Sequence, residues 1–321
     1  MIFEKQVVNI FRRMMFSRCD DTKTAFYFSA EDFPGLQKEP YSFRASAGHV
    51  LQGYLYQYAN AATDRLLVFD HGFGGGHRAY MKEIEMLCRQ GYCVFAYDHT
   101  GCMESGGASP NGFSQSLCDL NDCICAIKSD ARFAGRRLSV MGHSWGAFST
   151  MNIPALHPEI SHIVAMCGFV SPQEIIATFL AGPLKGYRKA IERLEKENNP
   201  QFSQFNAVES LSESDVKALL IYSENDQLCR RVHYDKLKAA LEKKENIRFL
   251  FVQNKGHNPN YTKEAVQYLN VFSKQRNAIT RNKKATDADK EKFVASFDWN
   301  KMTEQDPAVW DVIFRHLADE L

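Results

Sequence analysis

Three side chains, met along the chain in the order Ser144, Asp226, His257, offer the clearest chemistry in this sequence. Ser144 sits in Gly142-His143-Ser144-Trp145-Gly146, between the apolar run Leu138-Ser139-Val140-Met141 and the helical pattern opened by Ala147-Phe148-Ser149-Thr150-Met151. A serine between glycines at a strand-to-helix turn is held proud of the sheet edge, because only glycine fits the crowded flanks of so tight a turn. Its hydroxyl is inert at neutral pH unless a base takes the proton as it attacks. Of the ten histidines, His257 is the one that follows the last predicted strand, in Gly256-His257-Asn258-Pro259, and it is the candidate base. Asp226 lies in Ser223-Glu224-Asn225-Asp226, past the strand-like run 217–222, and is the candidate for orienting the imidazole, with Glu224 as the competing carboxylate. Serine, acid and base arranged in this way form a nucleophile for acyl transfer.

Acyl transfer also needs two backbone N–H groups aimed at the developing oxyanion, and a glycine-rich turn lets the backbone approach that closely. His71-Gly72-Phe73-Gly74-Gly75-Gly76 follows directly on the run Arg65–Asp70. Phe73 is expected to give one N–H, with Gly74 as its substitute, and Trp145 the other. Gly72, Gly74 and His143, together with Phe179, Leu180 and Leu184 from a later segment, are the candidate substrate contacts. Inside its turn His143 is expected to point away from Ser144 and to pack. His and Cys are plentiful, yet no H-E-x-x-H or paired C-x-x-C spacing supports a metal, so neither metal nor cofactor is expected.

With these segments in place, the chain resembles the α/β-hydrolase family over residues 41–273, in particular its lid-bearing carboxylesterase, lipase and peptidase-like branch. The resemblance rests on HGFGGG, GHSWG and the turns at Asp226 and His257. The stretch Asp98-His99-Thr100-Gly101-Cys102-Met103-Glu104-Ser105 is similar to the family's D-x-R-G-x-G-x-S segment, with Thr100 where Arg is usual and Met103 where a second Gly is usual. The resemblance implies a Ser-Asp-His triad, an acyl-enzyme intermediate and a small-molecule acyl substrate, a carboxylic ester first of all. Amide, peptide and thioester hydrolysis use the same parts, and the fold does not choose the acyl group. A non-catalytic ligand-binding protein of the same fold is the reading of a different class.

Alternating strand and helix signals then lay out the frame. An antiparallel pair (41–45, 50–58) is followed by strand 65–70, helix 78–90, strand 92–97, helix 113–129, strand 137–141, helix 145–157 and strand 161–167. This predicts an α/β fold with a mostly parallel central sheet, helices on both faces, and a site at the carboxyl ends of the strands. The fifty residues before the strand at Lys217 exceed a simple crossover, and 171–212 is expected to form a helical lid of two short helices broken near Gly182-Pro183. Residues 1–40 read as a lead-in whose apolar positions at 2–16 make an amphipathic helix, docked on its own domain or serving a homodimer or weak membrane contact. After 273 a polar, basic stretch reads as a linker, and the apolar residues from Phe293 to Leu317 as a helical segment packed on the body.

Composition closes other routes. A 45% hydrophobic, 12% aromatic chain of 321 residues can bury a full core, and a net charge of +1 offers no electrostatic case for nucleic acid. Nine cysteines, an odd number with scattered spacing, suggest reduced thiols in a cytoplasmic protein. No apolar run of about 18 residues predicts a transmembrane helix, and Glu4, Lys5, Arg12 and Arg13 interrupt any signal-peptide core.

Overall fold

The computed structural model describes residues 3–20 and 23–321. Eight strands, β1 (Gln37–Arg44), β2 (Val50–Gln57), β3 (Arg65–Asp70), β4 (Cys93–Tyr97), β5 (Arg137–His143), β6 (His162–Met166), β7 (Lys217–Ser223) and β8 (Ile247–Val252), form one sheet. Their order across it is β1-β2-β4-β3-β5-β6-β7-β8. β2 runs antiparallel to both its neighbours and all pairs from β4 to β8 are parallel. Parallel strands need crossovers, and helices supply them: α1 (Glu4–Met15) as lead-in, then α2 (Met81–Arg89), α3 (Gln115–Ser129), α4 (Trp145–Asn152), α5 (Pro172–Phe179), α6 (Arg188–Asn198), α7 (Ala207–Ser212), α8 (Arg231–Leu241), α9 (Lys263–Arg281), α10 (Asp287–Ala295), α11 (Trp299–Met302) and α12 (Pro307–Leu317).

The period-two alternation of strand side chains divides the core between the two faces. Leu66, Val68, Val140, Ile163 and Leu220 pack with Leu117, Leu120, Ile124, Phe148 and Met151 of α3 and α4. Leu67, Phe69, Met141, Val164 and Leu219 pack with Ile84 and Leu87 of α2 and with Trp310, Ile313 and Leu317 of α12. Because both faces are covered, the interiors of β3, β4 and β6 read as continuous apolar runs.

Element ends differ from the sequence reading for local reasons. β1 starts at Gln37 rather than 41: Pro40 lies within it, which an edge strand tolerates but which masks the strand signal. α4 stops at Asn152, since Pro154 lacks the N–H to continue it and a 3₁₀ turn follows. Residues 274–281 are not a linker: they are the exposed final turns of α9, where charge reflects a solvated helix surface rather than loss of structure. The stripe on α1 is split. Phe11 is buried edge-on against Phe16 and Phe113, whereas Ile10 and Met14 face outward; Ile2 lies outside the described residues. Among the described residues no helix is long and apolar enough to cross a membrane.

One charged cluster is buried at the carboxyl edge of the sheet. His99 Nε2 lies 2.9 Å from Asp70 Oδ1, and its Nδ1 lies 3.2 Å from Asp119 Oδ2. The first contact is ionic rather than an aligned hydrogen bond. Asp70 also accepts from the hydroxyls of Tyr97 and Ser149, and Asp119 from the N–H and hydroxyl of Thr100 and the amide of Gln115. Burial alone would lower the His99 pKa, but the two carboxylates outweigh it and hold it up at about 9. Thr100, where the family pattern has arginine, thus sits beside a histidine that supplies the cation. A folded value above the ordinary 6.5 means stabilisation that is complete below pH 6.5 and is lost as pH rises through about 9. His99→Gln should cost about 3–5 kcal/mol at pH 6.5, since it leaves buried carboxylates uncompensated. Urea titrations at pH 6.5 and 9 should show a smaller difference between variant and wild type at the higher pH; an equal difference at both would remove the charge from His99.

Candidate active site

β5 ends at His143 and α4 begins at Trp145, so Ser144 alone makes the turn. Its backbone is at φ 58°, ψ −110°, a conformation that costs a non-glycine residue free energy. The turn closes only because its flanks have no side chains. A Cβ on Gly142 would stand 2.3 Å from the carbonyl oxygen of Gly146, and one on Gly146 would stand 2.0 Å from that of Asp70. Ser144 N–H donates to the Met166 carbonyl at 2.8 Å, tying the turn to β6.

β7 and β8 bring the other two groups to this point. Ser144 Oγ is 2.8 Å from His257 Nε2, and His257 Nδ1 is 2.7 Å from Asp226 Oδ2. The second oxygen of Asp226 accepts the backbone N–H groups of Leu228 and Cys229 at 2.8 and 3.0 Å, which fixes the carboxylate plane. Burial pushes the Asp226 carboxyl up, but its bond to His257 and the surrounding N–H donors outweigh this and leave it below the ordinary range. Glu224, two residues earlier, gives its backbone N–H to Val252 and accepts Gly256 N–H, and its carboxylate makes no contact with His257.

The glycine loop after β3 lies across the turn. Gly72 N–H donates to the Tyr80 hydroxyl at 3.1 Å, so it is already committed within the protein. The Phe73 and Trp145 rings meet edge to face at 5.0 Å. His143 does turn from Ser144: its Nδ1 is 2.8 Å from the Tyr80 hydroxyl and its Nε2 2.7 Å from the His257 carbonyl oxygen. Both nitrogens are therefore committed within the protein.

A cavity of about 410 Å³ opens on Ser144. The candidate contacts Gly72, His143 and Phe179 line it, as do Phe73 and Trp145 and, beyond the candidates, Met15, Phe113, Phe169, Ile175 and Leu228. The other three expected contacts lie elsewhere. Leu180 is buried in the core, Leu184 is 45% exposed in the turn between α5 and α6, and Gly74, at φ 90°, borders a separate cavity on the far side of the loop. Leu184 fails because the 3₁₀ turn Gly182–Tyr187 carries it outward, which helical spacing alone could not reveal. Ile175 was legible as apolar but carried no signal for which way it faces. Met15, from the first helix, could not have been found by any local pattern.

Cys167, Asp226 and His257 bring donor atoms within 4.8 Å of one another, the one such group among the described residues. Burial holds the Cys167 thiol well above its ordinary pKa, so it stays protonated, and the Asp226 and His257 atoms are already bonded to each other.

The comparisons with known proteins agree with this architecture. The family model described as serine aminopeptidase, S33, matches residues 61–207. The fold is similar to that of the Pyrococcus furiosus esterase Pf2001, at 19% identity and a TM-score of 0.60, over 82% of this chain and 98% of that one. It is also similar to acetyl xylan esterase from Paenibacillus sp. R4, at 14% identity and a TM-score of 0.56, over 86% and 93%. The α/β hydrolase GrgF from Penicillium matches at 18% identity and a TM-score of 0.52, over 69% and 91%. No curated protein sequence matches the chain. The chain has the α/β-hydrolase fold.

The two carboxylates near the base are separable. Asp226→Asn should lower ester turnover on the order of 10⁴-fold through the wrong imidazole tautomer, while Glu224→Gln leaves it within about twofold, as for an ordinary surface change. The reverse ranking in steady-state rates would move the acid to Glu224.

Proposed function

We propose that the protein is a serine hydrolase that cleaves a carboxylic ester with an apolar acyl group. The observation that carries this reading is the unbroken line from Ser144 Oγ through His257 to Asp226, with contacts of 2.8 and 2.7 Å. His257 Nε2 takes the hydroxyl proton as Ser144 attacks the carbonyl carbon, and Asp226 stays ionised and stabilises the imidazolium. The backbone N–H groups of Phe73 and Trp145 receive the oxyanion, the latter at the positive end of α4. His257 then protonates the leaving alcohol, and water attacks the acyl-enzyme by the same route. The solved structures of similar fold include proteins named as esterases.

The S33 match raises aminopeptidase activity as a second reading. An aminopeptidase must hold a substrate ammonium beside the scissile bond, which calls for a carboxylate or a set of carbonyls there. The cavity on Ser144 is walled by Met15, Phe113, Phe169, Ile175, Phe179 and Leu228 and has no Asp or Glu among its lining residues. That wall favours an alkyl or aryl acyl group. A receptor that binds ligand without turnover is the third reading, and covalent labelling separates it from the other two.

Helices α5 and α6 serve as the cover in this reading. Phe179 stacks on Phe113 at 6.0 Å and closes the cavity from above, while α7 packs on α4 and α8 and belongs to the body. Excluding water strengthens every dipole aimed at the oxyanion. The nine free thiols suit a reducing compartment such as the cytoplasm.

Ser144→Ala should abolish labelling by a fluorophosphonate probe and reduce p-nitrophenyl ester turnover by roughly four to six orders of magnitude. Labelling that persists in this variant would place the nucleophile elsewhere, and hydrolysis of aminoacyl anilides in preference to esters would favour the peptidase. The wall makes a second commitment. In wild type each acyl methylene that enters the cavity should contribute about 0.8 kcal/mol, roughly fourfold in kcat/KM. Ile175→Ala with Phe179→Ala should shift the chain-length optimum upward while labelling of Ser144 persists. An unchanged acyl profile would move substrate choice away from α5.

A further inference from the structure

Tyr80 and His143 take no part in the reaction just described, yet they connect its two halves. The His257 carbonyl can only accept, so the 2.7 Å contact places the hydrogen on His143 Nε2. Nδ1 of the neutral ring is then a bare acceptor, and the Tyr80 hydroxyl 2.8 Å away must donate to it. Having given away its one hydrogen, the Tyr80 oxygen is left to accept Gly72 N–H at 3.1 Å. The donors thus run in a single direction, from Gly72 to Tyr80 to His143 to the His257 carbonyl, and each bond determines the next.

Burial keeps the chain of donors in this state. It pushes the His143 imidazole down to about 3, with His257 pressing the same way, and pushes the Tyr80 hydroxyl up, so neither ionises over the working range. A proton on His143 Nδ1 would face the tyrosine hydrogen and reverse the direction of that bond. The geometry also explains a residue of the glycine loop: a Cβ on Gly72 would stand 2.4 Å from the Tyr80 hydroxyl and 3.3 Å from His143 Nδ1. Glycine at 72 is what lets the tyrosine reach the loop. The His143 ring, 4.7 Å from that of His257 by centroid, packs against the base as well as bonding its backbone.

We propose that Tyr80 and His143 are positioning residues that fasten the His257 loop to the glycine loop, fixing the separation of general base and oxyanion donors across the reacting carbon. The proposal rests on the serine hydrolase reading above. Its consequence is that losing the link misplaces the base relative to the oxyanion site while the apolar wall of Met15, Phe113, Phe169, Ile175, Phe179 and Leu228 stays in place, so the loss falls mainly on kcat.

The test uses His143→Leu, His143→Gln and Tyr80→Phe in the full chain, with steady-state turnover of p-nitrophenyl butyrate, rates of fluorophosphonate labelling, and thermal melts to verify folding. Leucine fills the space and cannot bond. His143→Leu should lower kcat roughly 100-fold, the scale of a misplaced catalytic group, with KM within about threefold of wild type. Glutamine can again donate to the His257 carbonyl, and His143→Gln should recover kcat to within about tenfold of wild type. Equal kcat for the leucine and glutamine variants, or a loss confined to KM, would reduce His143 to packing and overturn the proposal. If His143→Leu does not fold, Tyr80→Phe decides: it removes one oxygen and keeps the ring, so a fall in kcat supports the link and an unchanged kcat overturns it. A wild-type protein that neither labels nor turns over the ester would instead overturn the serine hydrolase reading, and the proposal with it.

Discussion

The backbone of Ser144 is the constraint on which the rest of the architecture depends. A non-glycine residue at φ 58° costs about 1–3 kcal/mol and persists only where its surroundings over-determine it. Here they do so from three directions: β5 delivers the chain, α4 leaves at once, and β6 holds the serine N–H through Met166. The contact of Gly146 with the Asp70 carbonyl further requires that β3 lie beside β5, which the sheet order supplies. The central strands, the two glycines and the first helical turn of α4 are one solution to the problem of holding a hydroxyl clear of a sheet.

Three histidines around this turn show how neighbours decide whether burial prevails. His71, His99 and His143 are all shut away from solvent. His71 accepts the His99 N–H and contacts the Gly72 carbonyl, His143 lies between a hydroxyl and a carbonyl, and both are held down at about 3. His99 differs by having two carboxylates within 3.2 Å and is held up at about 9. The neutral pair shape the loops and the charged one braces the floor beneath them. The placement of the two carboxylates holds the cation at His99 and leaves His143, against the His257 ring, neutral.

Much of this was legible in the chain. The parallel sheet followed from alternating apolar runs and helical patterns, and Ser144, Asp226 and His257 from their positions just past strand ends. Local signals such as the glycine flanks survive in sequence because the backbone conformation itself selects the residue. What escaped was set by long-range packing. Met15 reaches the cavity because Phe11 anchors α1 against Phe113, a contact across a hundred residues that leaves no local trace. Leu184 lies at the expected break near Gly182-Pro183, and its apolar character alone does not say that the 3₁₀ turn there carries it outward. Tyr80 looked like an ordinary position at a helix start; its role depends on where Gly72 and His143 arrive in space.

The order of the active groups along the chain has a consequence in time. The serine turn is complete once β3, β5, β6 and α4 are present, but the base that would activate it lies 113 residues further on, after the edge strand β8. The loop carrying His257 is in turn fastened by residues later still: Lys255 pairs with Asp306, and Asn260 bonds Gln305. Domains fold as units as the chain emerges from its amino terminus, so in the serine hydrolase reading the serine turn meets its base only once the last segments of this single sheet are made. In that reading reactivity arrives last, when the closing segment docks on the loop that carries His257.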